Sequence, residues 1–264
     1  MGQTRGLAFV RGGGDIATGV IYRLWSAGFK VVCLETEYPL AIRRTVSAAQ
    51  AVFDGSCSIE GMHIEKIHSF QNIDKSNNTV DILVDPHGES IKEMKPDILV
   101  DAIMTKQNLG TRKDMAPLVI GLGPGFSAPE DVHAVIETKR GHYLGRMITN
   151  GMTIANTGIP GIEMGYTIER LLRSPADGKL ETLHRIGDKV RKGDSIGKVG
   201  GISFYAEIDG VLRGLIHPSI EIKKGLKIGD IDPRNEPAHC FSITDKALAV
   251  AGGVLEALFV FNAV

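Results

Sequence analysis

The sequence has few cysteines and almost no net charge. Its three cysteines, Cys33, Cys57 and Cys240, are odd in number and far apart in 264 residues. We therefore expect no disulfide framework, no structural zinc site and no other metal site. The 30 basic and 31 acidic side chains give a formal net charge of -1, which provides no electrostatic case for binding nucleic acid or an acidic membrane. The first residues lack a signal-peptide pattern, so we expect a cytoplasmic protein.

A long uninterrupted apolar segment is also missing. The most apolar stretch is ALAVAGGVLEALFVFNAV at the carboxyl end, and it contains Glu256 and the pair Gly252-Gly253. It lacks the flanking basic residues that often stop a membrane span. We expect it to form a closing helix over residues 244–262, buried against a sheet and not in contact with a membrane.

The glycine-rich stretch RGGGDIATG at residues 11–19 is the most informative local motif. It follows an apolar run at 7–10 and precedes an apolar-periodic run at 20–25, and the segment KVVCLE at 30–35 comes next. This order predicts a strand, a tight turn, a helix and a second strand, as in a Rossmann-like unit. Three consecutive glycines remove every Cβ from the turn, so a ligand or another backbone segment can approach closely.

The spacing within this unit resembles that of dinucleotide-binding loops. Gly12, Gly14 and Ala17 fit the pattern G-x-G-x-x-G/A, and Glu35 lies about twenty residues further on, where an acid can bind a ribose hydroxyl. The helix amino terminus would face a phosphate group. We therefore predict that the loop and the acid bind a nucleotide-like ligand through Gly12, Gly13, Gly14, Asp15 and Glu35. Two alternatives stay open: the glycines only turn the chain, and Asp15 repels phosphate or caps the helix.

Further strand-like runs follow at 80–86, 97–103 and 116–126. They are continuously apolar, as in a sheet that is covered on both faces. The last run ends in a second glycine turn, and the segment 131–148 brings three polar residues close together in sequence. Because ligands bind at the carboxyl edge of such sheets, we predict that one cleft also contains Gly123, Gly125, Glu137, Arg140 and His142. A rigid turn and an ordinary structural histidine are the simpler alternatives. Arg43 and Arg44 either bind an anion or begin a solvated helix.

The region from about 178 to 233 contains an internal repeat. The stretch VRKGDSIG at 190–197 recurs thirty-two residues later as IKKGLKIG at 222–229, which suggests two similar β-units. The region resembles the biotinyl/lipoyl module, a flattened β-sandwich of the barrel-sandwich hybrid type. Such modules carry an attachment lysine at the hairpin between the halves, whereas residues 200–204 contain none. We expect a structural or docking module without a covalent cofactor.

Long motifs along the whole chain resemble a known family. They are RGGGDIATG, PLAIRRTVS, GLGPGF, VIETKRGHYLGR, NTGIPG, GLKIGDIDPR and SITDKALAVAGGVLEA. These motifs resemble the selenium-dependent molybdenum hydroxylase system proteins of the YqeB type, a family distantly similar to the XdhC/CoxF maturation factors. The resemblance implies an accessory role in maturing a molybdenum hydroxylase, with that enzyme and other maturation proteins as partners and no catalytic residues assigned. Whether the chain forms homo-oligomers stays open.

The resemblance implies molybdenum cofactor, in some forms a dinucleotide, as the ligand of the glycine loop. The alternative is an NAD(P)-dependent oxidoreductase that uses the same loop, for which only His142 and Lys106 are candidate proton donors. A scaffold whose β-module docks the hydroxylase is a third possibility. The predicted fold is α/β, with a Rossmann-like, mostly parallel sheet at 1–176, a biotinyl/lipoyl-like module at 177–233, and a carboxyl-terminal helical segment at 234–264 that packs on the sheet.

Overall fold

The computed structural model describes residues 4–73, 78–156, 158 and 161–263. The chain divides into two compact units. The first comprises Met1–Pro39, Ser47–Thr157 and Ile243–Val264, and the second comprises Leu40–Val46 and Gly158–Ser242. Whether 1–176, 177–233 and 234–264 fold as separate domains stays a prediction. The motif NTGIPG at 156–161 lies partly outside the described residues.

The first unit is built on a nine-stranded mixed sheet. Its strands and a two-stranded ribbon are, in chain order, β1 (Leu7–Arg11), β2 (Lys30–Glu35), β3 (Ser56–Ile59), β4 (Met62–Ile67), β5 (Val80–Val84), β6 (Ile98–Asp101), β7 (Leu118–Leu122), β8 (Ser127–Ala128), β9 (Ala134–Ile136), β10 (Met147–Ile148) and β11 (Gly151–Met152). The spatial order is β10-β9-β7-β6-β1-β2-β5-β4-β3, and β8 pairs with β11. The pairs β3–β4 and β9–β10 at the two edges are antiparallel, whereas the inner pairs are parallel.

Helices and loops cover both faces of this sheet. The helices are α1 (Asp15–Ser26), α2 (Gln50–Asp54), α3 (Glu89–Met94) and α4 (Asp245–Val260). On one face α1 and α4 pack side by side over the apolar strands, and Gly19 allows their close approach, because a Cβ there would lie 2.8 Å from the backbone of Ala247. On the other face Ile91 of α3 joins a smaller core around Phe9. Burial on both faces explains why the strands read as continuous apolar runs.

The prediction of a Rossmann-like sheet is wrong. In such folds long helices connect successive parallel strands, and here α1 makes a connection of this kind from β1 to β2. By contrast, β6 runs to its parallel neighbour β7 through a single 3-10 turn at Lys113–Met115, and antiparallel pairs close both edges. The sequence misled because a glycine turn and apolar strands occur in any α/β sheet that is covered on both faces.

The second unit contains two small antiparallel sheets. Its strands are β12 (Leu171–Arg173), β13 (Leu180–Thr182), β14 (Lys189–Val190), β15 (Ser195–Val199), β16 (Ile202–Tyr205), β17 (Gly210–Leu215) and β18 (Lys227–Asp232). The orders are β12-β18-β17-β14 and β13-β15-β16. Arg213, Asp230 and Asp232 on β17 and β18 are buried among the apolar side chains.

The prediction of a biotinyl/lipoyl-like module over 177–233 is not supported. Strand β12 precedes that range, yet it pairs with β18 and belongs to the same sheet. The two repeats share a turn conformation, since φ is +93° at Gly193 and +82° at Gly225. Their pairing differs, because Val190 lies in a strand that pairs with β17, whereas Ile222 forms an isolated bridge with Gly178.

Candidate functional site

Several strand ends of the first unit meet at one edge of the sheet. The chain passes from β1 to β2 on one side of β1 and later returns to β6 on its other side. At such a reversal the loops that follow the two strands diverge and leave a crevice outside their carboxyl ends. The loop after β1 is the glycine stretch 12–14, so this crevice is the candidate site.

The three loop glycines have different surroundings. A Cβ at Gly12 would lie 2.9 Å from the carbonyl oxygen of Ala102, in the loop after β6, and φ is +92° there. A Cβ at Gly13 would lie 2.9 Å from the amide nitrogen of Ala49 and 3.1 Å from Sγ of Cys33. By contrast, a Cβ at Gly14 would meet nothing within 4 Å. Packing therefore explains Gly12 and Gly13, and Gly14 faces open space.

Glu35 holds the glycine loop from the neighbouring strand. Its Oε2 accepts a hydrogen bond of 2.7 Å from the amide of Gly13, and its Oε1 accepts one of 2.7 Å from the amide of Thr36. Both carboxylate oxygens thus bind backbone groups of the protein. The structure places Glu35 beside the loop, as the spacing predicted, and gives it an internal partner.

The amino terminus of α1 lies directly after Gly14. Asp15 is the first helical residue, and its Oδ1 accepts a hydrogen bond of 2.9 Å from the amide of Ile16. Asp15 thus satisfies one of the helix's terminal amides from inside the first turn, whereas the capping position is Gly14, which has no side chain to do so. The amide of Gly14 donates to no residue in the described part of the chain, so it is available to an acceptor above the loop.

Lys246, which the sequence reasoning missed, lies near this helix start. It is in the first turn of α4 and is half-buried, and burial lowers the pKa of its ammonium group. Asp15 and Glu137 act on that charge favourably, whereas Arg140 opposes it. Within the described ranges its Nζ has no hydrogen bond or ion pair. The sequence does signal a helix start near this lysine, because Thr244 caps the amino terminus of α4. Its position near Asp15 depends on the packing of α4 on α1, which the sequence does not show.

Two predicted polar residues after β9 lie near Lys246. Glu137 is 2% exposed, and its carboxylate accepts hydrogen bonds of 2.7 Å from the amides of Lys139 and Ile154. Arg140 forms an ion pair of 3.0 Å with Asp245, and both side chains are well exposed. Glu137 therefore fixes the loop, while Arg140 contributes positive charge at its surface.

The remaining predicted residues of the first unit have simpler surroundings. A Cβ at Gly123 would lie 2.6 Å from Oγ1 of Thr138, and one at Gly125 would lie 3.0 Å from the amide nitrogen of Gln107, so close packing explains both glycines. His142 is exposed and lies edge-on to the ring of Tyr143.

Arg43 and Arg44 belong to the second unit. Nη2 of Arg43 donates a hydrogen bond of 2.9 Å to the carbonyl of His239, and Nε of Arg44 donates one of 2.7 Å to the carbonyl of Leu215. Arg43 is also 7% exposed. Both arginines thus bind backbone oxygens and secure the segment 40–46 within its unit. A surface groove of that unit contains none of the predicted residues and is lined by Ile168, Leu171, Leu172, Arg173, Phe204, Tyr205 and Glu207.

A buried polar network, also missed from the sequence, lies beneath the edge of the first unit. Nη1 of Arg11 lies 2.5 Å from Oγ1 of Thr111 and 3.4 Å from Oδ2 of Asp101, and the threonine hydroxyl donates to that same carboxylate at 2.6 Å. All three side chains are buried. Burial raises the pKa of Asp101, although Thr111 and Arg11 both oppose the rise. The network joins the end of β1 to the loop after β6.

The described ranges lack two further features, a cluster of metal ligands and a helix that could span a membrane. No group of three or more histidine, cysteine, aspartate or glutamate side chains there is arranged to hold a metal ion. In the same ranges, no helix combines the length and the apolar composition that crossing a bilayer requires.

One curated relative is similar over almost the whole chain. The uncharacterized protein YqeB of Escherichia coli (strain K12) is 49% identical over 254 residues, which is 96% of this chain and 47% of YqeB. The chain therefore spans about half the length of the relative it matches. The resemblance to a YqeB-type protein is confirmed at this level. No protein-family model matches the chain.

Two solved structures with some similarity to this chain are named as a desuccinylase and an aspartoacylase family protein. A succinylglutamate desuccinylase from Silicibacter sp. TM1040 is 12% identical over 87% of this chain and 85% of its own, with a TM-score of 0.26. An aspartoacylase family protein from Mesorhizobium loti MAFF303099 is 9% identical over 85% and 84%, also with 0.26. These scores are too low to support an argument about activity. Neither structure is that of a Rossmann nucleotide-binding protein or a molybdenum maturation factor, so the comparison with solved structures does not bear out these two expectations from the sequence.

Proposed function

We propose that the chain is an accessory protein of a selenium-dependent molybdenum hydroxylase, and that the crevice after β1 binds the phosphate-bearing end of molybdenum cofactor. The similarity to YqeB supports the first part, because the motifs of this chain resemble the YqeB-type hydroxylase system proteins. We also propose that the whole protein binds this hydroxylase and other maturation proteins.

The open space above Gly14 carries the ligand part of the proposal. The amide of Gly14 and the amino terminus of α1 provide hydrogen-bond donors and a partial positive charge, which suit a phosphate group. Gly14 is the loop glycine whose missing Cβ has no packing explanation. Its φ of -67° and ψ of 178° are open to any residue, so its backbone conformation does not require glycine either.

Lys246 supplies the charge that such a ligand needs. Three carboxylates act on that charge, those of Asp15, Glu137 and Asp245. Each also has another contact, because Asp15 accepts a hydrogen bond from the amide of Ile16, Glu137 accepts two backbone hydrogen bonds and Asp245 pairs with Arg140. The ammonium of Lys246 is half-buried without a bonded partner in the described part of the chain. An anion that binds over Gly14 would offset the cost of burying this ammonium group.

The NAD(P)-dependent alternative has less support. Its ribose-binding acid, Glu35, uses both carboxylate oxygens on backbone amides. Its candidate proton donors, His142 and Lys106, are both exposed to solvent, so neither is enclosed in a site that excludes water.

The test compares two site variants with two matched controls. Gly14→Val fills the open space, and Lys246→Met removes the charge. Gly252→Val adds the same side chain at an open helix position, and Lys92→Met removes an exposed ammonium on α3. Equilibrium dialysis of the purified protein against molybdenum cofactor released from a molybdenum enzyme should show at least a tenfold loss of affinity in the site variants only. Tighter binding of NADPH than of molybdenum cofactor by the parent protein, or site variants that bind as the controls do, would refute the proposal.

A further inference from the structure

Arg170 in the second unit is a buried guanidinium whose donors are not all used. It ends the 3-10 helix Ile168–Arg170 and precedes β12, and it is 6% exposed. Its Nε and Nη1 are buried and have no hydrogen-bond partner among the described residues. An arginine side chain is always charged and has only donors. Leaving such donors buried without an acceptor is costly, so an unseen acceptor is the usual explanation.

The neighbouring carboxylates are already engaged with other arginines. Arg213 contacts Asp230 at 2.6 Å and Asp232 at 3.4 Å. Arg234 also binds Asp232, through Nε at 2.9 Å and 3.1 Å and through Nη2 at 2.5 Å. These pairs leave Arg170 without a carboxylate of its own.

The charges around Arg170 leave an excess of positive charge. Burial lowers the pKa of Arg170, and the like charge of Arg213 lowers it further, against the attraction of Asp230, Glu163 and Asp232. Arg43 also acts on Asp230. Four guanidinium groups, those of Arg43, Arg170, Arg213 and Arg234, and the ammonium group of Lys227 therefore act on three carboxylates, those of Glu163, Asp230 and Asp232.

We propose that Arg170 and Arg213 form a binding site for a small oxyanion in the second unit. An anion bound there would reduce the excess of positive charge, and its oxygens would accept hydrogen bonds from Nε and Nη1 of Arg170. Arginine's planar, forked donors suit the paired oxygens of a carboxylate or a phosphate. Two side chains that act on this cluster reach the surface, since Arg234 is 35% exposed and Glu163 is 18% exposed. It is separate from the crevice over Gly14, which lies in the first unit.

Anion-dependent stability of the intact protein tests this site. A ligand that binds only the folded state raises stability by an amount that saturates with its concentration. The midpoint of thermal unfolding is followed in sodium phosphate, sodium acetate and sodium malonate, each against sodium chloride at equal ionic strength. Stabilisation by phosphate alone would indicate a phosphate ligand, whereas stabilisation by acetate or malonate would indicate a carboxylate ligand.

Three variants separate this site from other anion effects. Arg170→Gln should weaken the apparent affinity for the stabilising anion at least tenfold. Arg191→Gln removes an exposed arginine of the same unit and should change nothing. Gly14→Val should also keep the effect, which distinguishes this site from the proposed cofactor crevice. A failure of Gly14→Val to alter cofactor binding would leave this result unaffected.

Two outcomes would overturn the proposal. In one, no anion stabilises the protein beyond chloride, or Arg170→Gln responds as the parent does. In the other outcome, a crystal of the parent protein grown in phosphate shows a water molecule, and no oxyanion, beside Arg170. This crystal also tests the proposal if Arg170→Gln does not fold. Oδ1 of Asp230 is also buried without a hydrogen-bond partner among the described residues, so a water shared by the two side chains is the competing occupant. Density for an oxyanion on Nε or Nη1 of Arg170 would support the site.

Discussion

The carboxylate of Glu35 accepts a 2.7 Å hydrogen bond from the amide of Gly13. The acid at the end of β2 thereby holds the loop that follows β1, on the neighbouring parallel strand. A charged acceptor of this kind is stronger than a neutral one. This hydrogen bond gives Glu35 a structural role. A change at Glu35 is therefore expected to alter stability even when no ligand is present.

The substitution Glu35→Gln should therefore reduce stability. The amide side chain keeps the shape but replaces charged acceptance from the amides of Gly13 and Thr36 with weaker neutral bonds. We expect a loss of about 1 kcal/mol in the free energy of unfolding, measured by urea denaturation. Glu37→Gln, at an exposed position two residues away, is the control and should be neutral. Equal stability of both variants would show that the contact contributes nothing.

Alanine at the loop glycines should act with opposite sign at Gly13 and Gly14. At Gly13 the new methyl group would meet the amide nitrogen of Ala49 at 2.9 Å, and backbone cannot move aside as a side chain can. We expect a loss of about 1–3 kcal/mol. At Gly14 the methyl group would meet nothing within 4 Å, and the backbone conformation is ordinary. There alanine should stabilise by about 0.4–1 kcal/mol, because it restricts the unfolded chain. Urea denaturation of the two variants side by side measures both effects, and equal losses would contradict the assigned surroundings.

The thiol of Cys57 should react slowly at neutral pH. Burial and the charge of Asp54 raise its pKa to about 11, although a hydrogen bond to the backbone of Ala51 opposes the rise. The thiolate is the reactive form, so alkylation by iodoacetamide should accelerate about tenfold for each pH unit and level off only near pH 11. Labelling of Cys57, followed by peptide mass spectrometry between pH 7 and 10, measures this profile. A plateau below pH 9 would show that the thiol is activated.

The sequence predicted the local features of the site better than the contacts between residues that are far apart in the chain. The glycine turn, the helix start at Asp15 and the position of Glu35 follow from spacing along about 25 residues. Lys246 could not be placed, because it reaches the edge only when α4 packs on α1, more than 200 residues away in the chain. The partners of Arg43 and Arg44 could not be predicted for a similar reason, since the carbonyls that they bind belong to residues 239 and 215.

The fold was harder to predict than these local features. Apolar runs identified the central strands, because burial on both faces leaves a strong signal. The edges depended on short strands such as β9 and β10, of three and two residues, whose antiparallel pairing has no sequence signature of its own. The connection from β6 to β7 contains a 3-10 turn and no longer helix. The repeat in the second unit predicted two similar turns, but it did not predict which strands pair beside them. Direction and pairing of short strands are set by tertiary contacts, which periodicity does not encode.

The last prediction concerns Arg11, whose side chain is buried with Asp101 and Thr111. Arg11→Met keeps the apolar stem but removes the donors that face Asp101. That carboxylate stays buried with only the hydroxyl of Thr111 and the amide of Ile103 as donors among the described residues. Removing one partner of a buried pair typically costs about 3–5 kcal/mol, which is a large share of the roughly 5–15 kcal/mol by which a domain is stable. Adding Asp101→Asn should restore part of the loss, because the uncompensated charge is gone. Urea denaturation of the parent, both single variants and the double variant completes a double-mutant cycle. The pair is a true ionic contact if the double variant is more stable than the sum of the single losses predicts. Strictly additive losses would show that Arg11 contributes through its other contacts, the hydroxyl of Thr111 and the carbonyl of Pro86, or through packing alone.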